Sequence, residues 1–348
     1  MVRLNVYTRV LLCSVLMSLL PLASCDVEYD YADNPEGNFE ALWQILNDRY
    51  CFFEYKEIDW DEVYTQYKSR IKSHMSDQQL FDVLAEMLAE LKDGHVNLYS
   101  SFNTARYWKW FEDYEQNFDI NLLTRCYLEP GGYNIVGGIY YKIMPNNIGY
   151  IYYGSFSNPI GDGNLDEILA LFTSCEGIIF DVRDNGGGTL TTVSQIASRF
   201  TNEKILSGYV QHKTGTGHND FSPLTPTYLE PYRGIRYQKP VVVLVNRSSF
   251  SATNNFISIM RELPQVTIVG DRSGGGSGLP FSSELPNGWS VRFSACPVYG
   301  VDKQHTEFGI DPDIYQSMSI DNMLLGIDDI IERGYEVILQ STQNIMLQ

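Results

Sequence analysis

Positive charge is scarce in this chain. Its 348 residues hold 25 Lys and Arg against 43 Asp and Glu, a formal net charge of -18. Phosphate binding needs clustered Lys and Arg, so the balance argues against nucleic acid as a partner, and none is expected. Metal-ligand spacing is lacking too. No Cys-x-x-Cys and no His-x-x-x-His pair occurs, so a zinc site has no support and no cofactor is expected. Beyond Leu22 no apolar run is long enough to cross a membrane. Neither glycine cluster is followed by Gly-Lys-Ser/Thr, which argues against a phosphate loop. Internal repeats and low-complexity tracts are absent. What remains is 44% hydrophobic and 20% charged, as in a globular protein with a substantial core. The length suits one large domain or two ordinary ones.

The first residues read as a targeting segment. Arg3 and Arg9 precede Val10 to Leu22, an apolar stretch too short to span a bilayer and stay there. It ends in Leu22-Ala23-Ser24-Cys25, which resembles a bacterial lipobox. Cys25 is then the lipid attachment site, and the expected location is the cell envelope, with membrane contact through the anchor only. An ordinary signal peptide cut near Ala23 is the alternative. The acidic residues that follow read as a tether. Cys51, Cys126, Cys175 and Cys296 are irregularly spaced among apolar neighbours and read as buried free thiols rather than a disulfide framework.

Helical spacing recurs in Phe39, Leu42, Trp43 and Leu46, and in Val63, Tyr67 and Ile71. It returns after the polar cap Ser76-Asp77-Gln78-Gln79. These elements predict a small helical bundle that ends at Lys92-Asp93-Gly94-His95-Val96. The segment after it is rich in aromatics, and Tyr107-Trp108-Lys109-Trp110-Phe111 reads as buried core, with a cleft wall as the alternative. Alternation in Tyr133 to Ile143 suggests strands. From Ile148 strands and helices alternate, with apolar runs at Gly177 to Val182 and Val241 to Val245. That pattern argues an α/β core whose strands are covered on both faces. Residues 321–347 read as one terminal helix.

Ser251 sits where a polar loop after the strand Val241 to Val245 becomes a helix. The first turn of a helix leaves N–H donors unpaired, so a serine there can be a nucleophile with oxyanion donors around it. Serine is also among the commonest N-cap residues, and taken alone the position favours the cap. His95, on a turn beside Gly94, is the candidate base, and His305 is its rival. Gly186-Gly187-Gly188, between a strand and a helix, exposes backbone N–H groups to a close substrate.

These residues, with Ile148-Gly149-Tyr150-Ile151, the run Phe180 to Gly188 and Thr306-Glu307-Phe308-Gly309-Ile310-Asp311-Pro312-Asp313, resemble the S41 family of serine peptidases. That family includes tail-specific and tricorn-like proteases. The resemblance implies Ser251 as nucleophile, with Ala252 N–H and Gly187 or Gly188 as oxyanion hole. Tail-specific members pair their serine with a lysine in a Gly-Lys-Gly context. Here Gly276 stands in that place, and no lysine occurs between Lys239 and Lys303. The tricorn-like pattern instead implies a triad of Ser251, His95 and Glu307. Arg183 and Asp181 are expected to pin the glycine motif structurally. The interval between His95 and Ile148 is too short for the PDZ domain of tail-specific members.

The expected fold is α/β, with a crotonase/ClpP-like ββα superhelical core and an N-terminal helical bundle. The expected divisions are a lipoprotein signal peptide (1–24), an acidic tether (25–36), the bundle (37–96), a connecting segment (97–147) and the core (148–348). The function so implied is a serine endopeptidase acting on peptides or unfolded protein segments. A non-catalytic peptide-binding lipoprotein on the same scaffold is the alternative. Dependence on histidine implies activity that falls as His95 takes up a proton, with loss expected by pH 5.

Overall fold

The computed structural model describes residues 30–346, so the expected signal peptide and Cys25 lie outside the described residues. Helices α1 (Pro35–Arg49), α2 (Trp60–Lys68) and α3 (Asp77–Ala89) form the expected bundle. Each opens on a side-chain cap. Asn34, Asp59 and Ser76 accept from the N–H groups of Gly37, Glu62 and Gln79. Trp43 and Trp60 lock α1 to α2, each indole N–H donating to the other's carbonyl at 3.0 and 3.1 Å.

The rest of the chain builds two sheets. In order come β1 (Asn97–Tyr99), β2 (Thr104–Arg106), β3 (Asn134–Val136), β4 (Ile139–Met144), β5 (Ile148–Tyr153), α4 (Asp162–Leu171), β6 (Gly177–Asp181) and α5 (Leu190–Ala197). Then follow β7 (Ile205–Val210), β8 (Thr225–Leu229), β9 (Val241–Val245), α6 (Ala252–Met260), β10 (Val266–Gly270), β11 (Gly278–Glu284), β12 (Ser290–Tyr299), β13 (Ile314–Tyr315) and α7 (Asp329–Met346).

The larger sheet runs β13-β10-β9-β6-β5-β4-β3. Neighbours from β13 to β5 are parallel, and β4 and β3 join antiparallel. Every residue of β5, β6 and β9 is buried. Helices account for that on both sides. Ile168, Val193, Ile196 and Phe256 from α4 to α6 pack with Ile178 and Phe180, while Ile330, Ile331 and Ile338 of α7 pack with Ile179 and Leu244. The smaller sheet runs β2-β1-β12-β7-β8, with β11 also on β12. The bundle lies on it, and Leu42, Leu84 and Leu88 share one core with Leu98, Trp289, Val291 and Phe293.

Four features differ from the sequence reading. The strands expected within Tyr133 to Ile143 are present as β3 and β4, but they belong to the larger sheet. That sheet starts at Asn134, ahead of the expected boundary at residue 148, because β4 pairs with β5 along its whole length. Strands β7, β8, β11 and β12 leave no legible pattern in the sequence. They are half-exposed, carry Pro226, Pro280 and Pro297, and are broken by register shifts, so no clean alternation survives. The terminal helix is divided into Ile320–Leu324 and α7 by Gly326, whose φ of +80° no helix contains. Cys51 and Cys175 are buried free thiols, but Cys126 is exposed and Cys296 only half-buried.

The expected clamp on the glycine motif is present. Arg183 follows β6, is 0% exposed, and pairs with Asp181 at 2.6 Å and Asp328 at 3.0 Å. Asp328 also accepts from the N–H groups of Ile330 and Ile331 and so caps α7. One guanidinium thereby ties the last long helix to the loop that carries the glycines.

Candidate active site

Strands β6 and β9 are adjacent and parallel, and the loops at their C-terminal ends face each other. Clefts in α/β sheets form at such ends. Asn185 stitches the two loops together. Its Oδ1 accepts from Gly187 N–H at 3.0 Å and from the Thr253 hydroxyl at 2.7 Å, and its carbonyl accepts from Phe250 N–H at 3.1 Å.

Ser251 precedes α6 yet makes no cap hydrogen bond. Its backbone stands at φ 61° and ψ -119°. A non-glycine residue so placed costs about 1–3 kcal/mol and persists only where its surroundings impose it. Here Ser251 N–H is held by Gly275 O at 2.8 Å. The strain aims Oγ at His95 Nε2, 2.8 Å away. Ser251→Gly is therefore expected to be more stable than Ser251→Ala by about 1 kcal/mol in urea unfolding, after allowing for the entropy of glycine in the unfolded chain. Equal stabilities would mean that the backbone stores no strain.

His95 is set by the turn before it. Asp93 Oδ1 accepts from His95 N–H at 2.7 Å. Gly94 is required, since a Cβ there would lie 2.6 Å from Trp110 Nε1 and 2.9 Å from Phe250 Cζ. The imidazole rests on Phe250 at 4.8 Å between centroids, and Phe250 stacks on Trp110 at 4.1 Å. Burial pushes the His95 pKa down to about 4, against the upward pull of Asp93. The ring is neutral near pH 7, and Nε2 can accept the serine proton. His95 Nδ1 is buried without a hydrogen-bond partner among the described residues.

Of the candidate oxyanion donors, Gly187 N–H is taken by Asn185. The N–H groups of Gly188 and Ala252 have no partner among the described residues. Gly188 sits at φ +146°, and a Cβ on it would lie 2.1 Å from Ser157 N. Only glycine fits.

Glu307 is nearby but does not hydrogen-bond to the His95 ring. Its Oε1 lies 2.8 Å from Lys56 Nζ, and its Oε2 accepts from Ser277 N–H at 2.8 Å. A buried ammonium and a backbone donor hold a carboxylate more strongly than a neutral imidazole does. Lys56 Nζ also lies 3.4 Å from Asp93 Oδ2, which accepts from the hydroxyls of Tyr50 and Ser294. Burial pushes the Glu307 carboxyl up, opposed by Lys56. Burial acts on Asp93 in the same sense, but Lys56, His95 and its hydrogen bonds outweigh it and the net direction is down. Lys56 was not legible in the sequence: it lies in an aromatic stretch with no motif around it.

The rival His305 lies between the rings of Tyr55 and Tyr299, at 4.0 and 4.3 Å, away from the Ser251–His95 contact. At Gly276 a side chain would meet the Phe250 ring at 2.4 Å, so a lysine has no room there. The aromatic segment is not core. Trp108 is 43% exposed, and Trp108 and Trp110 line a cleft of about 590 Å³ with His95, Ser251 and the glycines. A smaller pocket of about 110 Å³ opens beside Ser251, between Leu190, Leu279, Pro280 and Val298.

Residues 147–316 match Peptidase family S41, and residues 31–89 match the tricorn protease C1 domain. The chain belongs to peptidase family S41. It is similar to a putative peptidase from Parabacteroides merdae, whose crystal structure is 55% identical, covers 88% of this chain and 98% of that one, and superposes with a TM-score of 0.85. Mature CPAF complexed with lactacystin shares the fold at 13% identity, with a TM-score of 0.68 over 89% of this chain and 99% of that one. Carboxy-terminal processing protease CtpB of Bacillus subtilis is 25% identical over 154 residues, 44% of this chain and 30% of that protein. The curated relatives are matched over 20% to 32% of their own length.

Proposed function

We propose that this chain is a serine endopeptidase that cleaves peptides or unfolded protein segments. One observation carries the reading: Ser251 Oγ stands 2.8 Å from Nε2 of a histidine that burial keeps neutral. As Ser251 attacks the scissile carbonyl carbon, His95 takes the hydroxyl proton. The carbonyl oxygen becomes an oxyanion and is received by Gly188 and Ala252 N–H. His95 then returns its proton to the amine as the C–N bond breaks, and water releases the acyl group by the same route. Each oxyanion donor is worth about 10²–10³ in rate. Asp93 places the histidine backbone. Glu307 belongs to the site through Lys56 and Ser277 and lends it charge balance rather than a direct bond to the ring.

A fluorophosphonate probe tests this reading. The wild-type chain should label at one serine, and Ser251→Ala should not label. Because the base titrates at about 4 rather than 6.5, labelling should stay nearly level down to pH 5 and halve near pH 4. The loss expected by pH 5 from an ordinary histidine is thus displaced. The same shift bears on stability. Between 6.5 and about 4 the unfolded chain binds a proton that the folded one refuses, so stability held above pH 6.5 is lost as pH falls through about 4. Circular dichroism recorded across the same pH range separates titration from unfolding. Equal labelling of Ser251→Ala, or a midpoint near 6.5, would reject the assignment.

A further inference from the structure

The catalytic cleft has an unusual charge for this chain. Asp and Glu far outnumber Lys and Arg overall, yet the described residues lining the cleft include no Asp or Glu and no Lys. Its charged side chains are Arg106 and Arg292. Arg292 also lines the small pocket beside Ser251, which has no acidic residue either.

The two arginines are placed by register. On the smaller sheet Asn97 of β1 stands opposite Arg106 of β2 on one side and Arg292 of β12 on the other. Residues directly opposite in antiparallel strands point to the same face. Arg106, Asn97 and Arg292 therefore form a row across the cleft floor, with the arginine Cβ atoms roughly 10 Å apart. The Asn97 amide donates to His95 O at 2.8 Å, which ties the row to the base. Arg292 is half-buried, and its charge reaches His95, where it adds to the effect of burial in holding the imidazole neutral.

Neither guanidinium has an ion pair or a hydrogen bond among the described residues. Arg106 lies over the Tyr99 and Trp108 rings, at 5.9 and 5.4 Å, with its edge left open. The two arginines of the fold with no exposure are matched by carboxylates, Arg183 by Asp181 and Asp328 and Arg199 by Asp162 and Asp166, while buried Arg247 is held by the carbonyls of Trp110 and Ser273. Half-buried Arg292 and exposed Arg106 have neither kind of partner. A guanidinium fork fits a carboxylate in two parallel bonds.

We propose that Arg292, assisted by Arg106, is a substrate subsite that binds a carboxylate of the peptide next to the bond being cut. The inference rests on the peptidase reading. The carboxylate has two sources, an Asp or Glu side chain or the C-terminus of the peptide.

The test uses Ser251→Ala protein, which holds substrate without turning it over. One glutamate is walked through an alanine-based peptide. Each version is compared with its glutamine counterpart, with free and amidated C-termini, by calorimetry. A carboxylate peptide should bind about tenfold or more tightly than its neutral counterpart. The preference should vanish in Arg292→Gln, shrink in Arg106→Gln, return in part in Arg292→Lys, and weaken as salt is raised. The version that carries it separates side chain from C-terminus. If no peptide binds, if all bind alike, or if the preference survives both glutamine variants, the subsite is rejected. Fluorophosphonate labelling without any carboxylate preference would reject the subsite and leave the peptidase standing. An Arg292-dependent preference in a chain that neither labels nor cleaves would do the reverse.

Discussion

His95→Ala should lower kcat for peptide hydrolysis by a factor on the order of 10⁵–10⁶, the loss typical of a serine–histidine unit stripped of its base. The reasons lie in the contact itself. Ser251 Oγ has His95 Nε2 as its hydrogen-bond partner. No lysine lines the cleft among the described residues, and Lys56 is engaged by Glu307 and Asp93. His305 is stacked away between two tyrosines. Ser251→Ala should lose as much, and the double variant no more, since the two residues act as one unit. Glu307→Gln offers the contrast. Its carboxylate answers Lys56 and not the imidazole, so the change should show in thermal unfolding more than in kcat. Steady-state kinetics on a fluorogenic peptide, with circular dichroism to confirm folding, decide the matter. A loss below about tenfold in a folded His95→Ala would remove His95 from the mechanism.

Arg183→Met should destabilise the fold by about 3–5 kcal/mol, the usual consequence of taking one partner from a buried ion cluster. For a chain of this size that is a fall in Tm of roughly 4–7 °C. Asp181 and Asp328 would be left buried with their mutual repulsion unopposed. Asp328 would still cap α7, and the Tyr150 hydroxyl would still reach Asp181 at 2.7 Å, so the damage should stop short of complete unfolding. Urea unfolding of the variant measures the effect. A change under about 1 kcal/mol would mean that the cluster contributes little beyond what a well-packed methionine supplies.

How much of this was legible depended on whether a local pattern carried the information. The parallel core was readable because strands buried on both faces leave continuous apolar runs. The bundle was readable from helical spacing and from Ser76. Ser251, His95 and the glycine triplet could be nominated because each stands at an element boundary with characteristic neighbours. What a string of residues does not display is which far-off charge answers which. Glu307 was expected at the imidazole and is found on Lys56, more than two hundred positions earlier. The smaller sheet was missed because half-exposed, bulged strands lose their alternation, and with it went Arg106 and Arg292. The free N–H of Gly188 could be told from that of Gly187 only once Asn185 was seen to occupy the latter.

Lys56 links the front of the chain to its far end. It belongs to the stretch between α1 and α2, and it neutralises a carboxylate on the segment before β13. The apolar face of β12 likewise has the bundle as its cover. The two parts are not interchangeable modules. A graft of the reactive half onto a foreign N-terminal region would carry a buried acid with no cation and an uncovered sheet face with it. Bundle and core therefore have to be inherited together, and a substitution at Lys56 is constrained by what stands at Glu307.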